Sequence, residues 1–280
     1  MKNTVWKGAA LVALGLAFLT WHNTNLPHAR KNIDKETAFE RVLRSNVIRC
    51  GYIFWAPYLS LDPNTGEKSG LAYDYMMALA QDLGMKVEWV EEVNWGSFKE
   101  GLETKRYDVM CTPVWESGAR AREFLLTKPL YTDKMFAYAR ANDERFNDSL
   151  NQANNPDALI AVFDNDITQQ IRLTKFPLAQ EAALPPLTDA GQYFLQVATH
   201  KADIVLTAAT AAQLYNANAK IKLKAIAGGK AVRTFSNSLP LRQGEHGLKA
   251  MLDSTLHALV RSGKAAEIVK KYTGYALDTN

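Results

Sequence analysis

The feature that most limits the fold is an alternation of short apolar runs with helix-forming segments over residues 46–111. The apolar runs 46–51, 87–90 and 108–111 have the length and composition of buried strands. Between the first two runs, four side chains recur at a spacing of four residues, which predicts a helix that Gly84 ends: Leu71, Tyr75, Leu79 and Leu83. A second helix is predicted at 97–104. This β-α-β-α-β order predicts an α/β protein with a mostly parallel sheet and helices on both faces.

A second β/α series follows the polar, asparagine-rich stretch 141–156. It contains predicted strands at 159–163 and 203–206 and helices that begin at 168 and 208. The segment 234–242 is predicted to be extended, and two helices near 248–259 and 265–272 end the chain. We therefore expect two lobes, one built from residues 38–138 and 236–280 and the other from 139–235.

The N-terminus has the pattern of an export signal. Lys2 and Lys7 precede the uncharged segment 8–21, whose 14 residues are too short to cross a bilayer comfortably as a helix. No clear small-residue cleavage site follows, so residues 1–30 are read as a cleaved signal peptide or as a retained anchor, with 8–21 as the membrane tether. A periplasmic location is expected in either case.

The charge of the chain gives no indication of a nucleic-acid surface. Four basic residues precede the first acidic residue, Asp34, and the remainder carries 29 basic and 29 acidic side chains. The two cysteines, Cys50 and Cys111, lie at the ends of predicted strands. An oxidising compartment permits a disulfide between them, but the sequence favours two small buried hydrophobic side chains. Neither a metal site nor a cofactor is expected.

Aromatic and charged side chains collect where the predicted strands end. In open α/β sheets, ligands bind beyond the carboxyl ends of the strands. Four loops at that edge carry these residues, and their order along the chain is Trp55, Trp95, Trp115 with Arg120, and Asp166 with Thr168. A guanidinium matches a carboxylate, and indole rings exclude water. Taken alone, each tryptophan would be assigned to core packing and Arg120 to the surface, but together they predict a site for a small polar molecule.

The order of several short motifs resembles the extracellular solute-binding proteins of family 3, the periplasmic binding proteins for polar amino acids that serve ABC transporters. The motifs include VIRCGY with WAPY, GLAYDYMMALAQDLG, ARAREFLLTKPLY, FSNSLPLR and VRSGKAAEIVKKYTG, and the similarity runs from about residue 49 to residue 272. The resemblance implies a two-lobed periplasmic-binding-protein-like fold of type II, with two hinge strands near 137–140 and 234–242. It also implies a monomer, and a membrane permease as its partner.

The resemblance also assigns roles to particular residues. Trp55 and Trp95 match the aromatic positions on either side of the ligand, Thr112 matches a small hydroxyl residue, and Arg120 matches the arginine that holds a ligand carboxylate, with Arg122 as the competing candidate.

The sequence departs from the family at three places. Pro113 and Trp115 replace small polar residues, the anion loop is the acidic FDNDIT, and the aspartate that often takes the ligand ammonium is Ala208. An ordinary α-amino-acid ligand is therefore in doubt, and Asp164 or Asp166 is the candidate acceptor for a cationic group.

Two other classes of function remain open. Some members of this fold dehydrate carboxylic acids, and Asp164 or Asp166 would be the acid in such an enzyme. However, the chain lacks the Gly-x-Ser-x-Gly, His-Glu-x-x-His and phosphate-loop motifs. A retained anchor would instead suit a tethered sensor or adaptor.

Overall fold

The computed structural model describes residues 36–274, all but the first two of them within one compact unit that begins at Ala38. The predicted signal segment 1–30 and its tether 8–21 lie outside the described residues. The helices are α1 Ala38–Ser45, α2 Leu71–Leu83, α3 Phe98–Glu103, α4 Gly118–Glu123, α5 Ile167–Lys175, α6 Ala190–Ala198, α7 Ala209–Asn218, α8 His246–Arg261 and α9 Lys264–Thr273.

The strands form two larger sheets and one two-stranded ribbon. In chain order they are β1 Val47–Tyr52, β2 Ser60–Leu61, β3 Lys68–Ser69, β4 Lys86–Glu92, β5 Val109–Met110, β6 Val114–Trp115, β7 Leu125–Leu126, β8 Tyr131–Arg140, β9 Leu159–Phe163, β10 Gln180–Leu184, β11 Ile204–Ala208, β12 Leu223–Ala225, β13 Arg233–Ser238 and β14 Pro240–Leu241. The ribbon pairs β2 with β3.

The first sheet has the order β4-β1-β5-β14-β7, and its first three strands are parallel as predicted. Its core on one face contains the predicted helical stripe, with Leu71, Tyr75 and Leu79 fully buried. Gly84 ends α2 in the left-handed conformation, and its N–H bonds to the carbonyls of Ala80 and Gln81. The C-terminal helices α8 and α9 complete this layer.

The second sheet has the order β10-β9-β11-β8-β13-β6, with β12 also paired to β8. Strands β9, β10 and β11 are parallel, whereas β8 is antiparallel to β11. The two faces of this sheet carry separate apolar clusters, one around Ile160 and Ile204 and the other around Tyr193 and Val205.

The crossings between the sheets differ from the expected hinge strands. Residues 137–140, predicted to cross, lie inside the second sheet, where β8 pairs with β11 and β12. The chain instead crosses between β5 and β6, between β6 and β7, between β7 and β8, and again at Leu239 between β13 and β14. The last crossing falls within the predicted segment 234–242. The proposed lobe boundaries at 138/139 and 235/236 fall inside β8 and β13 and remain a prediction.

The interpretation of the two cysteines as unpaired side chains is wrong. Cys50 and Cys111 form a disulfide with a Cα–Cα distance of 5.4 Å, and both are fully buried. The pairing follows from register, because β1 and β5 are adjacent parallel strands and Cys50 lies opposite Val109. The sequence showed two strand ends but not that these strands were neighbours.

Candidate ligand-binding site

The four loops singled out by sequence meet around one cavity of about 80 Å³ between the two sheets. All seven predicted site residues line it: Trp55, Trp95, Thr112, Trp115, Arg120, Asp166 and Thr168. Arg122, the competing arginine, is exposed and is not part of the lining. Asp164, the alternative acid, also lies outside the lining. Trp115 belongs to strand β6, where it pairs with Asn237, rather than to a loop as expected.

Aromatic rings form most of the wall. The ring of Trp55 lies edge-on to Trp95 at 5.9 Å between centroids and to Phe163 at 5.8 Å. Phe163 in turn contacts Tyr193 at 4.7 Å. Trp55 and Trp95 come from the half of the molecule built on the first sheet, and Phe163 and Tyr193 from the second. Both halves therefore contribute to one apolar wall, which excludes water from whatever the cavity holds.

Arg120 is the cation of the site. It lies in the short helix α4, which begins after Ser117, and the Ser117 hydroxyl accepts a bond from the Arg120 backbone N–H. The side chain is only 13% exposed. Its Nη1 donates to the carbonyl of Trp115 at 2.7 Å, and its Nη2 donates to Oδ2 of Asp166 at 2.8 Å. Burial lowers the pKa of Arg120, and the charges of Asp166 and Glu123 oppose this shift.

Asp166 reaches Arg120 from the other half of the molecule. It caps the N-terminus of α5, and its Oδ1 accepts bonds from the backbone N–H and the hydroxyl of Thr168, at 3.0 and 3.1 Å. Its side chain is 10% exposed. The Arg120–Asp166 ion pair thus joins the two halves across the cavity.

The two threonines use their hydroxyls within the fold. The Thr112 hydroxyl donates to the carbonyl of Ile53 and accepts from its N–H, both at 2.9 Å. The Thr168 hydroxyl accepts from the N–H of Phe163 at 3.0 Å while it donates to Asp166. Both residues therefore shape the wall by holding the loops that follow β1 and β9.

A polar cluster beside the cavity links the same two halves. The hydroxyl of Tyr58 donates to Oδ2 of Asp133 at 2.9 Å and lies 2.7 Å from the hydroxyl of Thr210. Asp133 is almost fully buried, and burial raises its pKa, while bonds from the Lys134 N–H and Tyr58 act in the opposite direction. Burial also raises the pKa of Tyr58, and the charge of Asp133 adds to that effect.

Sequence reasoning missed several lining residues, of which Asn237 is the most informative. It lies on β13, is 4% exposed, and its Nδ2 has no hydrogen-bond partner among the described residues. A buried amide without a partner is rare and marks a place where a ligand can accept a bond. Tyr193, from α6, was also missed. No local motif identifies either residue, because β13 and α6 reach the cavity only through the second sheet.

Neither a membrane-crossing helix nor a metal cluster is found in the described part of the chain. None of the helices within residues 36–274 is both long and apolar enough to cross a bilayer. Over the same residues, no group of three or more His, Cys, Asp or Glu side chains is arranged to hold a metal ion.

Two sheets joined by crossing segments, with an aromatic and charged cavity between them, define a two-lobed solute-binding protein. The family model for bacterial extracellular solute-binding proteins, family 3, matches residues 48–275. The chain belongs to that family, and the predicted fold class, the type II periplasmic-binding-protein fold, is confirmed. Among curated proteins, no sequence matches this chain.

Solved structures share the fold at low sequence identity. An amino acid ABC transporter substrate-binding protein from Streptococcus pneumoniae, bound to L-arginine, is 22% identical with a TM-score of 0.72, over 88% of this chain and all of that one. An ancestral amino acid-binding protein, a precursor of cyclohexadienyl dehydratase, is 20% identical with a TM-score of 0.73, over 85% of this chain and all of that one. An ancestral arginine-binding protein bound to glutamine is 17% identical with a TM-score of 0.71, over 82% and 99%.

Proposed function

We propose that this protein captures a small polar molecule that carries a carboxylate, closes on it, and delivers it to an ABC permease. The observation that carries the proposal is the position of Arg120, a buried guanidinium between aromatic walls that come from both halves of the molecule. A guanidinium in a water-poor cavity binds a carboxylate more strongly than one at the surface.

Arg120 has more hydrogen-bond donors than its contacts within the protein use. A guanidinium has five N–H donors, and the bonds to Trp115 and Asp166 use two of them. The remaining donors are available to a ligand carboxylate, and the unpaired amide of Asn237 can donate to a further ligand oxygen. The rings of Trp55 and Trp95 would cover the apolar part of the ligand.

Binding and closure are coupled in this proposal. The cavity draws residues from both halves, so a ligand that contacts Trp55 on one side and Tyr193 on the other is held best when the halves are together. A ligand shifts a conformational equilibrium only by its difference in affinity for the two states. Contacts to both halves supply that difference.

Three observations support a location outside the cytoplasm and delivery of the ligand to a permease. The family is described as extracellular, and the Streptococcus pneumoniae structure is of an ABC transporter substrate-binding protein. The buried disulfide between Cys50 and Cys111 suits an oxidising compartment. We propose that the protein is periplasmic and monomeric. The mass of the mature N-terminus would decide between a cleaved signal and a tether, since a retained segment 8–21 favours the anchored form.

A dehydratase is the less favoured function, although one structural neighbour is a precursor of such an enzyme. An acid catalyst must offer a proton to its substrate. Asp166 is the acidic residue of the cavity wall, and its carboxylate accepts bonds from Arg120 and twice from Thr168. A carboxylate used in this way is an acceptor rather than a proton donor, so we propose that the protein is not an enzyme.

The test is a thermal-shift screen of amino acids and small carboxylates on the purified full chain, followed by calorimetry. Loss of one partner from a buried charge pair costs about 2–5 kcal/mol. Arg120→Ala should therefore weaken the best binder at least about tenfold. Arg122→Ala, which removes an exposed arginine two residues away, should leave the dissociation constant unchanged. Equal affinities for the wild type and Arg120→Ala would contradict the proposal.

A further inference from the structure

A buried carboxylate lies at the junction of the two halves. Asp133 is near the start of β8, which begins just after the chain crosses from the first sheet to the second. The side chain of Tyr131, the first residue of β8, still packs into the core of the first half, whereas Asp133 pairs with Phe235 in the second sheet. Asp133 is 2% exposed. The second half therefore holds a carboxylate at the point where it meets the first.

The hydrogen bonds of Asp133 come from neutral groups. Its Oδ1 accepts a bond from the Lys134 N–H at 2.7 Å, and its Oδ2 accepts one from the Tyr58 hydroxyl at 2.9 Å. By contrast, the carboxylates of Asp108 and Asp166 each pair with an arginine. No cation pairs with Asp133 within residues 36–274. Burying a charge without a counter-charge is costly.

The side chain that bonds to Asp133 comes from the other half of the molecule. Tyr58 belongs to the first half, where its N–H donates to the carbonyl of Trp55 and its own carbonyl accepts from the N–H of Ala72, both at 2.8 Å. Its hydroxyl reaches the second half, where it also lies 2.7 Å from the hydroxyl of Thr210 in the first turn of α7. These contacts need the two halves together. When the halves separate, Asp133 loses Tyr58 and gains water.

The cations on neighbouring strand positions do not neutralise Asp133. Lys134 follows it on β8, and its side chain is exposed. Arg233, on the adjacent strand β13, is also exposed, and its guanidinium lies over the ring of Phe235 at 4.8 Å from the centroid. Both cations therefore remain in water, where their attraction for a buried carboxylate is screened.

The other groups that face Asp133 are uncharged. Burial raises the pKa of Tyr58 and of Tyr131, and the charge of Asp133 adds to both shifts, so both phenols stay neutral. Thr210 contributes a hydroxyl, and the free N–H groups in the first turn of α7 favour a negative charge only weakly. Nothing around Asp133 replaces the hydration that it loses when the halves meet.

We propose that the two halves close with the uptake of one proton by Asp133, so that acidic conditions favour the closed form. The proton comes from solvent while the carboxylate is hydrated, and it forms an O–H bond on Oδ2. The protonated group can then donate to the Tyr58 hydroxyl, which in turn donates to Thr210, so every member of the cluster keeps a partner. The inference rests on the closure in the proposed function and adds a regulator of that closure.

The direction of the effect follows from the change in burial. In the closed form burial raises the pKa of Asp133 above its ordinary value of 3.8, and the bonds from the Lys134 N–H and Tyr58 oppose this shift only in part. The preference for the closed form is therefore greatest below pH 3.8 and is lost as pH rises through the raised pKa. The ion pair between Arg120 and Asp166 acts in the opposite direction, because protonation removes the charge of Asp166.

The experiment measures closure directly, without a ligand. Spin labels are attached to the full chain through Asn64→Cys in the first half and Leu187→Cys in the second, both at exposed positions. The disulfide between Cys50 and Cys111 is fully buried and does not take a label. Distance distributions from pulsed electron paramagnetic resonance give the ratio of closed to open molecules at each pH from about 4 to about 7.

Asp133→Asn removes the titrating group and keeps its size. Relative to this variant, the ratio of closed to open molecules in the wild type should fall by at least about threefold over that pH range. Comparison with Asp133→Asn cancels the contributions of all other groups, including the Arg120–Asp166 pair. Asp157→Asn is the matched control, because it makes the same change at an exposed position of the second half, and it should follow the wild type.

Tyr58→Phe is a second variant that keeps the carboxylate. It leaves the ring parallel to Tyr131 but removes the donor that stabilises the charged form of Asp133. The fall in the ratio should therefore be larger than in the wild type. This variant tests the inference even if Asp133→Asn does not fold, which a melting curve for each variant will show. A fall equal to that of the wild type would contradict the role of the cluster.

The outcomes separate the inference from the proposed function. If the compound that binds best in the thermal-shift screen closes the labelled protein, but the wild type and Asp133→Asn respond to pH in parallel, the inference is wrong and the proposed function stands. If the label distance has a single value at every pH and with that compound, closure itself is refuted, and the inference with it.

Discussion

Reduction of the disulfide between Cys50 and Cys111 should destabilise the protein strongly. The bond closes a loop between residues 61 apart in sequence. The chain-entropy relation for a loop of that length gives a loss of about 4 kcal/mol in the free energy of unfolding. Both cysteines are fully buried, so the reduced thiols would keep their place in the core, and the loss comes mainly from the freer unfolded chain.

The assay is thermal unfolding of the full chain with and without reductant, after reduction in denaturant and refolding. A change of 1 kcal/mol moves the midpoint of a protein of this size by roughly 2–4 °C, so reduction should lower it by about 10 °C. A variant with both cysteines replaced by alanine serves as the control, and its midpoint should not respond to reductant. Oxidised and reduced wild type that melt within about 2 °C of each other would refute the reasoning.

Two further substitutions test the polar groups around the cavity. Asn237→Val removes a buried amide without a partner, so it should raise the free energy of unfolding by about 1 kcal/mol. The same substitution should weaken ligand binding. An unchanged affinity in calorimetry would show that Asn237 is not part of the binding site. Burial raises the pKa of Asp133 above its ordinary value of 3.8, so this group favours the folded state more at low pH, and that contribution is lost as pH rises from 3.8 through the raised pKa. As the pH rises from 4 to 7, the urea midpoint of Asp133→Asn should therefore rise relative to that of the wild type. A constant difference between the two midpoints over that range would show that Asp133 does not contribute to the pH dependence of stability.

The sequence predicted those elements whose signal is local. The spacing of Leu71, Tyr75 and Leu79 defined a helix that Gly84 ends, and the apolar run at Leu159–Phe163 coincides with strand β9. The rule that ligands bind at the carboxyl ends of strands was enough to predict that Trp55 and Arg120 line one cavity.

What the sequence could not predict depends on which strands are neighbours. The pairing of Cys50 with Cys111 needs β1 beside β5, and the approach of Asn237 to Trp115 needs β13 antiparallel to β6. The first hinge strand was wrongly predicted at 137–140. An apolar strand in the middle of a sheet has the same kind of sequence as an apolar strand that crosses between sheets. The ion pair between Arg120 and Asp166 likewise joins loops that only the folded chain brings together.

The most direct measurement is a crystal structure of the full chain with the tightest-binding compound from the screen. We predict a ligand carboxylate within about 3.2 Å of the Arg120 guanidinium nitrogens, with Trp55 and Trp95 against the apolar part of the ligand. A ligand bound elsewhere, or an Arg120 side chain turned to bulk solvent in the complex, would contradict this prediction.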